Sequence, residues 1–195
     1  FHISGLYEAD QVKAVYSHVD RMVTLGVMPV SETVSIDKGI DVWANFGTHY
    51  FLERRELGMF NLGGSGVVVC DGKEYALGYK DCLYVTMGTK EVLFRSSDPA
   101  NPARFYIVSA PAHRAYETRL ITLQEAAKRP LGSQETANKR VINQFIHPSV
   151  LPTCQLSMGM TCLEPGSVWN TMPCHTHDRR MEIYTYFEIP ENNVV

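Results

Sequence analysis

The chain has 195 residues, 45% apolar and 20% charged, with 18 Lys and Arg against 21 Asp and Glu, a formal net charge of −3. That is enough length and apolar content for one large or two small domains with a real core. It excludes the basic stripe of a nucleic-acid binder and the polybasic anchor of a membrane-surface protein. No apolar run is long enough to span a bilayer, and Phe1-His2-Ile3-Ser4-Gly5 lacks the charged-then-apolar pattern of a signal peptide.

Short apolar runs separated by frequent turn signals point to an all-β sandwich or barrel. Asp71-Gly72 between Gly66–Cys70 and Lys73–Leu77 predicts a hairpin, because both central residues of such a turn favour positive φ. Strands are expected at 82–85, 91–94 and 105–108, with the Pro-containing loop 98–102 between the last two. Thr122-Leu123-Gln124-Glu125 is a capping box that predicts one short helix running through Arg129, stopped by Pro130. The polar, turn-rich stretch around it suggests a linker over 111–140, after which strands resume at 155–160 and a turn follows at 163–166. Five cysteines without a C-x-x-C spacing read as reduced thiols of a cytoplasmic protein. The start at Phe1 and the strand-like Val194-Val195 at the other end suggest a piece cut inside a domain.

The segment with the most chemistry is Cys174-His175-Thr176-His177-Asp178-Arg179-Arg180-Met181-Glu182. On a strand, His175 and His177 share a face, and two imidazoles side by side supply a divalent metal's first two ligands. Glu182 has the opposite parity, so the pleat must break at 178–180 for its carboxylate to return beside the histidines. Two His and one carboxylate suit zinc, iron or manganese. Cys174 faces away and reads as a buried structural thiol. Arg179 and Arg180 are candidates for binding a substrate carboxylate in fork geometry, or are solvated turn residues. Glu53, Arg54, Arg55 and Glu56 form a charged run on an otherwise half-buried strand, fit for a subunit interface or a pocket wall. Gly63-Gly64-Ser65-Gly66 precedes a strand rather than a helix and is no phosphate loop.

H-x-H followed by Glu resembles the first motif of the cupin superfamily, whose members are double-stranded β-helix (jelly-roll) barrels. His49 and Glu53 stand where a degenerate second copy would have its ligands, with one His absent, and His49 reads as structural. The resemblance implies a bicupin with one short connecting helix: a degenerate N-terminal barrel over 1–110, the linker 111–140, and an incomplete metal-binding C-terminal barrel over 141–195. Longer strings are similar to one group of cupins. Val15-Tyr16-Ser17-His18-Val19-Asp20-Arg21, the stretch from Tyr50 to Gly58, the stretch from Cys154 to Gly159, and the stretch from Trp169 to His177 resemble the 5-keto-4-deoxyuronate isomerases. That resemblance implies a zinc-dependent ketol isomerase of pectin and uronate breakdown, acting on 5-dehydro-4-deoxy-D-glucuronate. It places one zinc on His175, His177 and Glu182, with a fourth ligand, a His, beyond the C-terminus, and it implies a homohexamer. A metal cupin of another kind, such as a pirin-like iron dioxygenase, shares the ligand set. An inactive sugar-acid-binding or structural bicupin is the third possibility.

Overall fold

The computed structural model describes residues 2–170, 175–178 and 180–190. Its strands are, in chain order, β1 (Val12–Tyr16), β2 (Val23–Val27), β3 (Val34–Ser35), β4 (Arg55–Asn61), β5 (Gly66–Cys70), β6 (Lys73–Leu77), β7 (Cys82–Val85), β8 (Val92–Ser96), β9 (Phe105–Pro111), β10 (Arg119–Ile121), β11 (Ala127–Leu131), β12 (Arg140–Ile146) and β13 (Met158–Leu163). One five-residue helix, α1 (Val42–Phe46), lies between β3 and β4. They form a six-stranded sheet in the order β1-β2-β9-β4-β7-β10, a four-stranded sheet β3-β8-β5-β6, and a three-stranded sheet β11-β12-β13. Every named strand pair is antiparallel.

The period-2 alternation of strand side chains explains how the sheets stack. Leu57 and Met59 of β4, Leu83 and Val85 of β7, and Phe105 and Ile107 of β9 point to one face of the six-stranded sheet. There they meet Val68, Val92 and Phe94 of the four-stranded sheet in the first core. The alternate residues Phe60, Cys82, Tyr84, Tyr106, Val108 and Ala110 point to the other face. Phe145 and Ile146 of β12, Met160 of β13, and Leu151 and Leu156 of the connecting loop cover them in a second core. The six-stranded sheet is therefore buried on both sides, and every residue of β4 is buried. The Asp71-Gly72 turn closes β5 and β6 as expected, with φ of 47° and 82°.

The two layers meet most closely at Gly58. A Cβ there would lie 2.4 Å from both Ile146 Cδ1 and Met158 Sδ. Gly58→Ala is expected to cost about 1–3 kcal/mol by overpacking, read as a lower midpoint in urea with an unchanged slope. Asp10 fastens the N-terminal segment to the loop after β2. Its carboxylate accepts from Val30 N at 2.6 Å and from the Ser31 hydroxyl at 2.5 Å. The Ser31 hydroxyl and the backbone N–H groups hold the carboxyl well down, to about 2. A depressed acid contributes stability above its unfolded pKa and loses it as pH falls through the folded one. Asp10→Asn is thus expected to flatten the acid limb of stability between about pH 4 and 2, as followed by acid titration of the unfolding midpoint.

The helix expected over 122–129 is corrected. The capping box forms: Thr122 N and Oγ1 donate to Glu125 Oε2 at 2.9 and 2.8 Å, and Ala126 N reaches Thr122 O at 3.1 Å. It closes a single turn, and Ala127–Leu131 then pair with β12 instead. Ladder bonds to a neighbour outweigh the local preference of Ala-Ala-Lys-Arg for helix, and Pro130 is tolerated because β11 is an edge strand. The helix stands instead at Val42–Phe46. Asp41 caps its N-terminus by accepting from Ala44 N, and Gly47 ends it at φ 65°. Within 111–140, β10 extends the six-stranded sheet and β11 opens the three-stranded one.

Candidate metal and substrate site

His175, His177 and Glu182 lie on the chain that follows β13. Among its described residues, 175–190 have no strand pairing, so the two strands expected to carry the ligands are not seen there. Side-chain contacts hold the segment instead. Met181 N donates to Asp20 Oδ2 at 3.1 Å. Ile183 and Phe187 pack against the second core. Glu188 accepts from Tyr79 Oη at 2.6 Å and pairs with Lys80 Nζ at 2.7 Å.

His177 touches both of the other candidate ligands. The rings of His175 and His177 meet edge to face with centroids 4.8 Å apart. His177 Nε2 lies 2.9 Å from Glu182 Oε1. That is a direct ion-pair contact; donors sharing one tetrahedral zinc, each about 2.0–2.2 Å from the metal, stand roughly 3.3–3.6 Å apart, so the two side chains would have to part slightly to share an ion. The donor chemistry, two imidazoles and a carboxylate, suits one. Among the described residues, no three His, Cys, Asp or Glu side chains, these three included, are placed to hold a metal ion. Tyr184 Oη donates to the other Glu182 oxygen at 2.5 Å. That bond first, then the neighbouring His177 and Arg180, holds the Glu182 carboxyl below the usual range, which keeps it an anion fit to ligate. Arg180 sits over the pair, its Nη2 2.9 Å from His177 Nε2 and its Nε 4.0 Å from Glu182 Oε1. Cys174 and Arg179 lie outside the described residues.

His49 is held to Glu53. Its backbone N–H donates to Glu53 Oε2 at 2.6 Å, and its exposed ring touches the same oxygen at 3.1 Å. The charged run is divided by the pleat of β4. Arg55 points to the first core's rim, where Nε donates to Ser109 Oγ at 3.1 Å and Nη2 to Ser109 O at 2.9 Å and Arg21 O at 2.6 Å. The rings of Phe46 and Phe51 lie 5.5 and 6.0 Å from its guanidinium carbon. Burial pulls it down to about 10, still well above neutrality, so it carries its charge.

Glu56 points the other way and is fully buried. Its carboxylate accepts from Tyr84 Oη at 2.7 Å and from the backbone N–H groups of Cys154, Gln155 and Leu156 at 2.9, 2.7 and 2.8 Å. Burial, with this carboxylate behind it, pushes the Tyr84 hydroxyl above the ordinary tyrosine range. Glu56 thereby fixes the loop that leads into β13. Sequence reasoning placed Glu56 only within a charged run, since nothing local in the sequence names a partner about a hundred residues away.

An open cleft of ≈ 370 Å³ lies against the β1–β2 turn, lined by His18, Asp20, Arg21, Pro111 and Gln155. Asp20, which lines it, also accepts from Met181 N, which places the cleft beside the residue that precedes Glu182.

Comparisons agree on the kinship. A ketol isomerase of Yersinia pseudotuberculosis serotype O:1b (strain IP 31758), named 4-deoxy-L-threo-5-hexosulose-uronate ketol-isomerase, is 54% identical over all 195 residues, which span 69% of its length. A protein of the same name from Yersinia pestis (strain Pestoides F) gives the same figures. An IolB-like protein of Salmonella typhimurium LT2 shares the fold with a TM-score of 0.50 at 15% identity, over 68% of this chain and 47% of that one. These relatives identify the enzyme class as an isomerase. With the KduI/IolB family matched over residues 6–191, the chain belongs to that family.

Proposed function

We propose that the protein is a zinc-assisted ketol isomerase converting 5-dehydro-4-deoxy-D-glucuronate to 3-deoxy-D-glycero-2,5-hexodiulosonate in uronate catabolism. The observation that carries this is the 54% identity over the whole chain to relatives named for that class of substrate and reaction. The same identity disfavours the iron-dioxygenase alternative. The contact of His177 with Glu182, and of the His175 ring with the His177 ring, supports the assignment of zinc to these three residues.

A ketol isomerisation exchanges a carbonyl and a hydroxyl on adjacent carbons by moving a proton, with no net redox change. A bound zinc would supply Lewis-acid polarisation of the carbonyl oxygen. The residues of this chain named here would hold the metal and the substrate; the base that takes the proton from one carbon and returns it to the next is not assigned to any of them. Glu182, kept anionic by the Tyr184 hydroxyl, and the two histidines would hold the metal. Arg180, already beside the ligands, faces the substrate carboxylate as a planar cation, and Arg179 is proposed for the same task. We further propose a homohexamer located in the cytoplasm. Cys70, Cys82, Cys154 and Cys162 are free thiols, in keeping with a reducing compartment.

The test is turnover of the keto-uronate by the purified chain, alone and after chelation and zinc return. The function requires product formation that chelator removes and zinc restores. Turnover that is absent with zinc fully loaded would refute it.

A further inference from the structure

The β1–β2 turn is an unusual piece of backbone. Met22 N donates to Val19 O at 3.3 Å, closing a four-residue turn whose central residues, Asp20 and Arg21, both have positive φ, 51° and 53°. Turns of this kind favour Gly, Asn or Asp there, so Arg21 is the unusual occupant. Side chains at such angles persist only where the surroundings fix them. Two contacts supply that constraint. From beneath, the buried guanidinium of Arg55 donates to the Arg21 carbonyl at 2.6 Å. Among the described residues, the oxygens that accept from Arg55 are those of Ser109 and Arg21, and none is a carboxylate. From above, Asp20 Oδ2 accepts from Met181 N at 3.1 Å. Met181 immediately precedes Glu182.

We infer, on the footing of the isomerase function proposed above, that Asp20 is a positioning residue for the candidate metal ligand Glu182. The six-stranded sheet thereby sets the geometry of the metal site through one clamp. A peptide N–H held at residue 181 fixes the start of the Glu182 side chain, and Tyr184 fixes its end. The clamp needs an acceptor on a short side chain at position 20, not a charge. Asparagine can replace Asp20, and alanine cannot.

The test compares the 195-residue wild type with Asp20→Ala and Asp20→Asn by two measurements. Hydrogen exchange of the metal-free chains reads the contact itself. Zinc affinity, by competition with a chromogenic chelator, reads what the contact positions. The clamp predicts faster exchange at Met181 in Asp20→Ala, with protection of β2 and β9 unchanged. It also predicts zinc bound about ten-fold more weakly, at the lower end of the 10–100-fold seen for partners that orient metal ligands. Asp20→Asn is expected to restore both. Unchanged exchange at Met181 would overturn the contact. Faster exchange with unaltered zinc affinity would overturn the positioning role. If the wild type binds no zinc at all, the proposed function fails and the positioning role falls with it, whereas zinc bound equally by all three proteins rejects the clamp alone.

Discussion

Glu56→Ala is expected to destabilise the protein by roughly 3–5 kcal/mol, because four donors lose their acceptor in a buried site at about 1 kcal/mol or more each. Three of the four are backbone N–H groups of residues 154–156, and the fourth is the hydroxyl of the fully buried Tyr84. The Leu156 N–H and the Tyr84 hydroxyl are buried and cannot reach water without opening the second core, whereas the N–H groups of Cys154 and Gln155 are half-buried on the loop. Against a typical net stability of about 5–15 kcal/mol for a whole domain, the loss is large. Glu56→Gln separates charge from shape. It keeps one acceptor oxygen, and its amide NH2 meets donors where the second oxygen stood, so roughly half of the alanine cost is expected. Urea unfolding of the three proteins measures both. A shift below about 1 kcal/mol for alanine would mean that water replaces the carboxylate.

The second large effect is on metal binding. His177→Ala is expected to weaken zinc binding by more than about 100-fold, beyond the range for residues that only orient a ligand. His177 is the middle of the cluster, with His175 against its ring and Glu182 2.9 Å from its Nε2. Tyr184→Phe removes only the hydrogen bond that holds Glu182 Oε2 and is expected to cost about ten-fold. Arg180→Ala leaves the three ligands intact. It is expected to raise KM for the keto-uronate while zinc affinity stays within about two-fold, since a carboxylate clamp contributes binding rather than coordination. Zinc titration and steady-state kinetics on the three variants distinguish these roles. Equal zinc affinity in His177→Ala and wild type would remove the segment from the metal site.

The parts of this architecture legible in sequence are the local ones. The Asp71-Gly72 hairpin follows from two residues that tolerate positive φ, and the structure has them there. The H-x-H spacing is equally local. The capping box at Thr122 was also legible and does form, yet β12 draws the next residues into a ladder. No signal within 122–131 announces that neighbour. The short helix at Val42–Phe46 did carry signals, Asp41 before it and Gly47 after it, but five residues are too few for a periodic apolar stripe. The charged run at 53–56 shows the limit most clearly. Alternation along β4 sends Arg55 to the first core's rim and Glu56 to the second core. What each carries out there depends on Arg21, Ser109 and residues 154–156, which only the folded chain brings near.

The most direct test of the metal site is zinc stoichiometry by elemental analysis of the purified chain beside a His175→Ala/His177→Ala double variant. The predicted result is about one zinc per chain in the wild type, as a single tetrahedral site requires, and none in the variant. Zinc absent from both, or present equally in both, would contradict the assignment of the metal to His175, His177 and Glu182.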